Sequence, residues 1–419
     1  MLNSLLTVEN FFYTIIALVI FEFLLTKTLG FLNTKNWSDK LPKELEEIYD
    51  QEKYSKSMRY EKAKHKLGNI SSIFSFNVMI FLLIFGVFGD LYNYLTGFTD
   101  NIILLTLYFF GIISIFQTIF GLPLSYYSTF VIEEKFGFNK MSKKLFFIDF
   151  IKGLLLSFII GGALMALVTW LYTITGNYFW IYAWLLITVV SVFMMMFYSS
   201  LIVPIFNKQT PLEKGKLRDE IEAFASSVGF KLDNIFVIDG SKRSSKANAY
   251  FSGFGPKKRI VLYDTLINDL TKNELVAVLA HEIGHYKKKH TFQMLAFSVF
   301  QTGIMFYVLG LTLAYPEVSF ALGANQSSFA LGLLAFGILF TPISIIFGLL
   351  GNILSRKNEY EADNFAGKHY KANKLKSALI KLSINNLSNL RPHPAYEFFN
   401  YSHPTVLKRL KALDKIKKK

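Results

Sequence analysis

The sequence predicts a mainly α-helical integral-membrane protein with seven transmembrane helices and one small α+β unit gathered on the cytosolic side. Three observations carry this reading. The 419 residues are 52% hydrophobic and 16% aromatic but only 18% charged, against about 25% charged in a soluble globular domain, and mean hydropathy is +0.35. Seven apolar segments reach the roughly 20 residues that a helix needs to cross a bilayer. The only sizeable polar insert between them spans about 205–290. With no cysteine in the chain, disulfide frameworks and cysteine-ligated metals are excluded.

The apolar segments fall near 10–30, 70–92, 102–124, 150–174, 179–204, 292–315 and 329–354. The first reads as a span and not as a cleaved signal: no basic residue precedes Lys27, the run is too long, and no small-residue cleavage site follows. Loops 93–101, 175–178 and 316–328 contain no Lys or Arg, whereas 53–66, 135–144 and 408–419 are rich in them. The positive-inside rule then puts the N-terminus outside and the C-terminus in the cytosol, and an odd number of spans requires the same. The net charge of +15 reflects this asymmetry and suits a basic face on anionic lipid headgroups, with no nucleic-acid partner. The implied location is a bacterial inner membrane, or the endoplasmic reticulum in a eukaryote. The last residues, 415–419, resemble a dilysine retrieval signal, but a basic tail at a membrane surface is the commoner explanation.

Four regions follow: a membrane region at 1–204 with spans one to five, an insert at 205–290, spans six and seven at 291–354, and a helical block at 355–419. The insert and the last block lie on the same side and are expected to pack as one unit. Within the insert, 211–229 has a helical apolar pattern with Gly229 as its stop. The β-branched runs 234–239 and 259–263 read as strands. From 266 to 289 the pattern is helical again, with Thr271 and Glu274 spaced as a capping box.

That last helix carries His281-Glu282-Ile283-Gly284-His285. Residues four apart on a helix lie one turn above each other, so His281 and His285 offer two imidazoles to one metal, with Glu282 beside them as a general base. The helix runs into the sixth span and the chain returns to the same side after the seventh, where Asn358-Glu359-Tyr360-Glu361-Ala362-Asp363 follows. Helical phasing puts Glu359 and Asp363 on one face and turns Glu361 away. Glu359 is therefore the expected third ligand, and Asp363 the acceptor for a ligand imidazole N–H. Two histidines and one carboxylate leave a coordination position open, as in catalytic zinc sites, so one Zn2+ per chain and peptide hydrolysis are expected. The α+β unit is thus read as a metalloprotease unit.

These stretches give the chain its resemblance to the type I CAAX prenyl endopeptidases, integral-membrane zinc metalloproteases of the gluzincin type. Matching segments run from the first cytosolic loop to the C-terminus. They include Pro204-Ile205-Phe206-Asn207-Lys208, Asn248-Ala249-Tyr250-Phe251, Arg259-Ile260-Val261-Leu262-Tyr263-Asp264-Thr265-Leu266, the H-E-x-x-H run, Ser355-Arg356 with Glu359 and Asp363, and Tyr401-Ser402-His403-Pro404. The resemblance implies removal of the C-terminal tripeptide of prenylated proteins. It implies that Asn248, Ala249 and Tyr250 belong to an edge strand on which a substrate peptide lies extended. It also implies that His403 hydrogen-bonds the developing oxyanion, and that seven helices enclose a large intramembrane chamber. The partners expected are the bilayer and a peptide or protein substrate, lipidated or not.

The remaining histidines, His65, His290, His369 and His393, read as solvated. Glu22 lies within the first span without a nameable partner, and Asp149 and Lys152 are expected at the interface. Two alternatives stay open at this point. One is a membrane quality-control metalloprotease of broad specificity, which shares the motif but has fewer spans. The other is a catalytically silent seven-helix receptor or transporter.

Overall fold

Thr7 opens the first long helix, its hydroxyl accepting from the Asn10 amide at 3.2 Å to cap α1 (Val8–Lys35). The computed structural model describes residues 6–46, 48–230, 235–252 and 259–416; Asn234 and the lysines from 417 onward, used in the sequence reading, lie outside them. Asp50 caps α2 (Gln51–Ile84) through the Lys53 amide at 2.7 Å. Gly86, with φ 63°, ends that run, and α3 (Val87–Thr96) starts anew. The apolar segment expected over 70–92 is therefore broken, because the left-handed backbone at Gly86 cannot continue a right-handed helix.

Asn101 caps α4 (Ile102–Tyr127), which a π-helical turn carries on to Phe136. The stretch Lys143–Phe206 is 64 residues of near-continuous helix, comprising α5 (Lys143–Leu156), a π-turn, α6 (Gly162–Thr175) and α7 (Phe179–Leu201). At about 1.5 Å per residue it is far longer than a roughly 30 Å hydrocarbon layer. Gly176, with φ 52°, interrupts it, and α6 packs against α7.

Five helices among the described residues are long and apolar enough to cross a membrane, and a bent pair forms a sixth candidate. Large apolar side chains such as Phe21, Phe81, Phe116, Ile159 and Phe300 face outward, an arrangement that water would penalise and a bilayer stabilises. The chain is a mainly helical, multi-pass membrane protein.

The polar insert contributes a four-stranded sheet in the order β1 (Gln209–Pro211), β2 (Ile235–Ile238), β4 (Arg259–Tyr263), β3 (Ala249–Ser252). The central β2–β4 pair is parallel and both outer pairs are antiparallel. Pro211, expected within a helix, ends β1 instead. A residue without an N–H is tolerated at a sheet edge, and helix α8 starts only at Lys216 (Lys216–Ser227). Behind the sheet lies α9 (Lys272–Lys287), opened by the expected Thr271–Glu274 capping box. Next come α10 (His290–Leu313), the pair α11 (Phe329–Leu339) and α12 (Thr341–His369), bent by 53°, and then α13 (Ala372–Asn385), α14 (Pro394–Asn400) and α15 (Val406–Asp414).

One hydrophobic core joins these pieces. Ile260 and Leu262 of β4 and Leu279 and Ile283 of α9 are fully buried in it, with Leu375 of α13. Leu45, from the loop after α1, and Tyr54 and Met58, from the first turns of α2, share the same core. Two buried polar ties reinforce that junction: Tyr49 Oη donates to the Ser383 carbonyl at 2.9 Å and Ser57 Oγ to the Leu387 carbonyl at 3.1 Å. The interface pair read from sequence is used internally. Asp149 takes a forked bond from Arg243 at 2.8 and 3.1 Å, and Lys152 donates to the Ile205 carbonyl at 2.8 Å.

Candidate active site

Helices α9 and α12 approach each other closely at Gly284. A Cβ on Gly284 would stand 3.1 Å from the Ala362 carbonyl oxygen and 3.2 Å from the Phe365 Cβ. This closeness brings His281 and His285, on α9, against Glu359 of α12. His281 Nε2 lies 3.1 Å from His285 Nε2 and 3.5 Å from Glu359 Oε2, and His285 Nε2 lies 3.2 Å from Glu359 Oε1. Among the described residues these three form the one His/Asp/Glu cluster of metal-binding geometry.

The spacing itself tests the fit. Donor atoms about 2.0–2.1 Å from one tetrahedral ion stand roughly 3.3–3.4 Å apart; the two Nε2 atoms are 3.1 Å apart, and the Glu359 carboxylate turns one oxygen to each ring, Oε1 3.2 Å from His285 and Oε2 3.5 Å from His281. The outward ring nitrogens are already engaged, so the Nε2 lone pairs are left to converge. His281 Nδ1 lies 2.9 Å from Asp363 Oδ1 and His285 Nδ1 lies 3.0 Å from His290 Nδ1. Glu359 Oε2 is buried with no aligned hydrogen bond, although Arg409 Nη1 stands 3.1 Å away. A carboxylate oxygen in that state suits a cation.

Glu282 is half-buried on the wall of a cavity of about 690 Å³ that the two histidines, Glu359 and His403 also line. Burial pushes its carboxyl above the usual range, against the pull of His281 and His285, a direction that suits a proton carrier. His285 is shifted upward as well: burial opposes its charged form, but Glu359 and Glu282 beside it outweigh that penalty. His403 is mostly exposed and places Nε2 3.3 Å from Glu359 Oε1. Its segment is tied to α12 by Asn352 Nδ2 to the Phe399 carbonyl at 2.7 Å and Arg356 Nη1 to the Tyr401 carbonyl at 2.6 Å.

Ala249 and Tyr250 lie in β3, which among the described residues pairs only with β4 and so forms a sheet edge; Asn248 immediately precedes it. All three line the same cavity as the histidines. Three contributors escaped the sequence reading. Arg409, buried on α15, donates to Asp363; its signal was its place one turn before Leu413 and beside Leu410 on the buried face, while Lys408 and Lys411 face outward. His290, expected to be solvated, is 2% exposed. Glu361, expected to face away, reaches it with Oε2 3.2 Å from His290 Nε2.

A two-histidine, one-carboxylate cluster with an acid beside it, set where membrane helices meet a small sheet, defines the class: a metallopeptidase built into a multi-pass membrane protein. Comparison with known proteins agrees. Residues 31–208 match the family model described as CAAX prenyl protease N-terminal, five membrane helices, and residues 211–417 match peptidase family M48. The chain is 38% identical over 407 residues to CAAX prenyl protease 1 of Saccharomyces cerevisiae, covering 91% of this chain and 90% of that protein. It is 39% identical over 392 residues to the Arabidopsis thaliana homologue, covering 89% and 90%. The crystal structure of S. mikatae Ste24p superposes with a TM-score of 0.91 at 37% identity, covering 96% of this chain and 99% of that one. This chain belongs to the CAAX prenyl protease 1 family of M48 metallopeptidases. It is a membrane metalloendopeptidase, so the silent receptor or transporter reading falls away.

Proposed function

We propose that this chain is a zinc endopeptidase that removes the C-terminal tripeptide from prenylated proteins at the cytosolic face of its membrane. The observation that carries the reading is one cavity holding three converging donor atoms, an acid on its wall and a free strand edge. The substrate class is suggested by the relatives, which are named CAAX prenyl proteases. The basic loops favour a cytosolic site.

Counted with 143–206 as two crossings and the bent α11–α12 pair as one, the spans number seven, and they divide the chain near 204, 290 and 354. His281, His285 and Glu359 would hold one zinc ion, and Asp363 would fix the His281 ring by taking its Nδ1 proton in a hydrogen bond. Bound there, zinc supplies a Lewis acid for the scissile carbonyl and acidifies water. Glu282 takes the proton released during attack and passes it to the leaving amine. His403, exposed beside Glu359, donates through Nε2 to the oxygen that gains charge. Asn248, Ala249 and Tyr250 line up the substrate backbone along the edge of β3, which shortens the search for a reactive geometry.

The test uses purified full-length protein reconstituted in liposomes, given a farnesylated CAAX peptide and its unlipidated twin. Tripeptide release from the farnesylated peptide, lost with EDTA and restored by zinc, is the expected result. Equal cleavage of both peptides would replace the prenyl-specific reading with one of broad membrane proteolysis.

A further inference from the structure

The two histidines of the cluster are supported differently on their outer sides. His281 meets a carboxylate directly, with Nδ1 2.9 Å from Asp363 Oδ1. His285 meets another imidazole: its Nδ1 lies 3.0 Å from His290 Nδ1, and His290 Nε2 lies 3.2 Å from Glu361 Oε2. The His285 and His290 rings stand 5.0 Å apart at 75°, edge to face. His290 is 2% exposed, so it has no water shell to prefer over these partners.

The backbone is bent to make this contact. Lys288 and Lys289 close α9, and Lys289 sits in the left-handed region at φ 58° before α10 begins at His290. A non-glycine residue avoids that conformation unless its surroundings hold it there. The turn sets His290, the first residue of α10, against His285 at the end of α9.

The proton pattern follows from the atoms. A His285 that uses the Nε2 lone pair on a metal carries its proton on Nδ1 and donates there. His290 Nδ1 must then accept, which leaves the His290 proton on Nε2, facing an acceptor-only carboxylate. Glu361, His290 and His285 therefore form one directed chain ending at the Nε2 lone pair. We propose that His290 is a positioning residue that fixes the tautomer and ring plane of His285, with Glu361 fixing His290 in turn. Each histidine is thereby backed by a carboxylate, His281 at first hand and His285 through an imidazole spacer. The proposal rests on the reading of His281, His285 and Glu359 as the metal ligands.

Zinc affinity of detergent-solubilised full-length protein, by competition with a chromophoric chelator, tests it together with the d–d absorption of the cobalt(II)-substituted form. His290→Phe is expected to weaken zinc binding about 10–100-fold and to shift the cobalt spectrum. His290→Asn keeps an acceptor oxygen near the Nδ1 position and is expected to restore both. Glu361→Ala is expected to weaken binding in the parent but to add nothing in the His290→Phe background, because it acts through His290. A folded His290→Phe protein with parental affinity and spectrum would overturn the proposal, as would additive losses in the double variant. Should His290→Phe fail to fold, His290→Asn carries the same comparison, since with the acceptor restored a further Glu361→Ala change is expected to cost little, and a full loss there would also overturn it. The ligand reading is checked apart from this: parent protein that binds no zinc, or His285→Ala that binds as tightly as the parent, fails that reading and not the His290 contact.

Discussion

Arg409 grips Asp363 with a forked pair of hydrogen bonds, Nε to Oδ2 at 2.8 Å and Nη2 to Oδ1 at 2.7 Å, with both side chains buried. The same guanidinium places Nη1 3.1 Å from Glu359 Oε2. One cation thus fixes the carboxylate that orients His281 and also faces the proposed third ligand. Lysine carries the charge without the fork. Arg409→Lys is expected to lower kcat/KM about 10–100-fold, measured on the farnesylated peptide, with zinc content recorded alongside. Parental activity would mean that charge alone suffices at this position.

Glu282→Gln separates chemistry from architecture. The amide keeps the volume of the carboxylate on the cavity wall but cannot take a proton. Cleavage is expected to fall by at least about 10²–10⁴-fold, while zinc stays near one per chain by elemental analysis. A Glu282→Gln protein with full activity would remove Glu282 from the proton path.

How much of this was legible in the sequence depends on whether a rule of local spacing reached it. The i, i+4 histidines, the capping box at Thr271 and the phasing of Glu359 with Asp363 are periodicities of single helices, and the fold brings them together as spaced. The strand at Gln209–Pro211 was hidden by its proline, which a pattern reader takes as a helix start and a sheet edge accepts. The break at Gly86 lay inside an unbroken apolar run, where hydropathy carries no signal of direction. Arg409 and His290 come from long-range packing and from a left-handed turn at Lys289, and neither follows from a local period. The fusion of Leu45, Tyr54 and Met58 with the catalytic-side core was invisible for the same reason.

Gly284 offers a test of whether helix spacing sets the site. Alanine is the better helix former by about 1 kcal/mol, so an isolated helix would gain from Gly284→Ala. Here the new methyl meets the Ala362 backbone at 3.1–3.2 Å, and α12 must move away. Destabilisation of about 1–3 kcal/mol is expected from such overpacking, read as a lower Tm, together with weaker zinc binding as Glu359 is carried off from His281 and His285. A raised Tm with unchanged zinc affinity would show that the two helices have slack.

Glu274 links pH to stability away from the metal. It is 3% exposed and takes bonds from Lys381 Nζ at 2.7 Å, from the Thr271 amide and hydroxyl at 2.8 Å each, and from Ser377, tying the start of α9 to α13. Burial alone would raise its pKa, but Lys381, Ser377 and Thr271 outweigh it and hold the carboxyl at about 2, from an ordinary value of 4.5. Because the folded value is the lower one, the stabilisation is complete above the unfolded pKa and is lost as pH falls from about 4.5 towards 2. At 1.36 kcal/mol per unit the contribution is about 3 kcal/mol at pH 7 and about 1 kcal/mol at pH 3. Thermal melts of EDTA-stripped parent and Glu274→Gln proteins at the two pH values check this with metal loss removed from both arms. The Tm gap is expected to be wide at pH 7 and to shrink by more than half at pH 3; a gap that does not change with pH would show that Glu274 acts by packing and not through its charge.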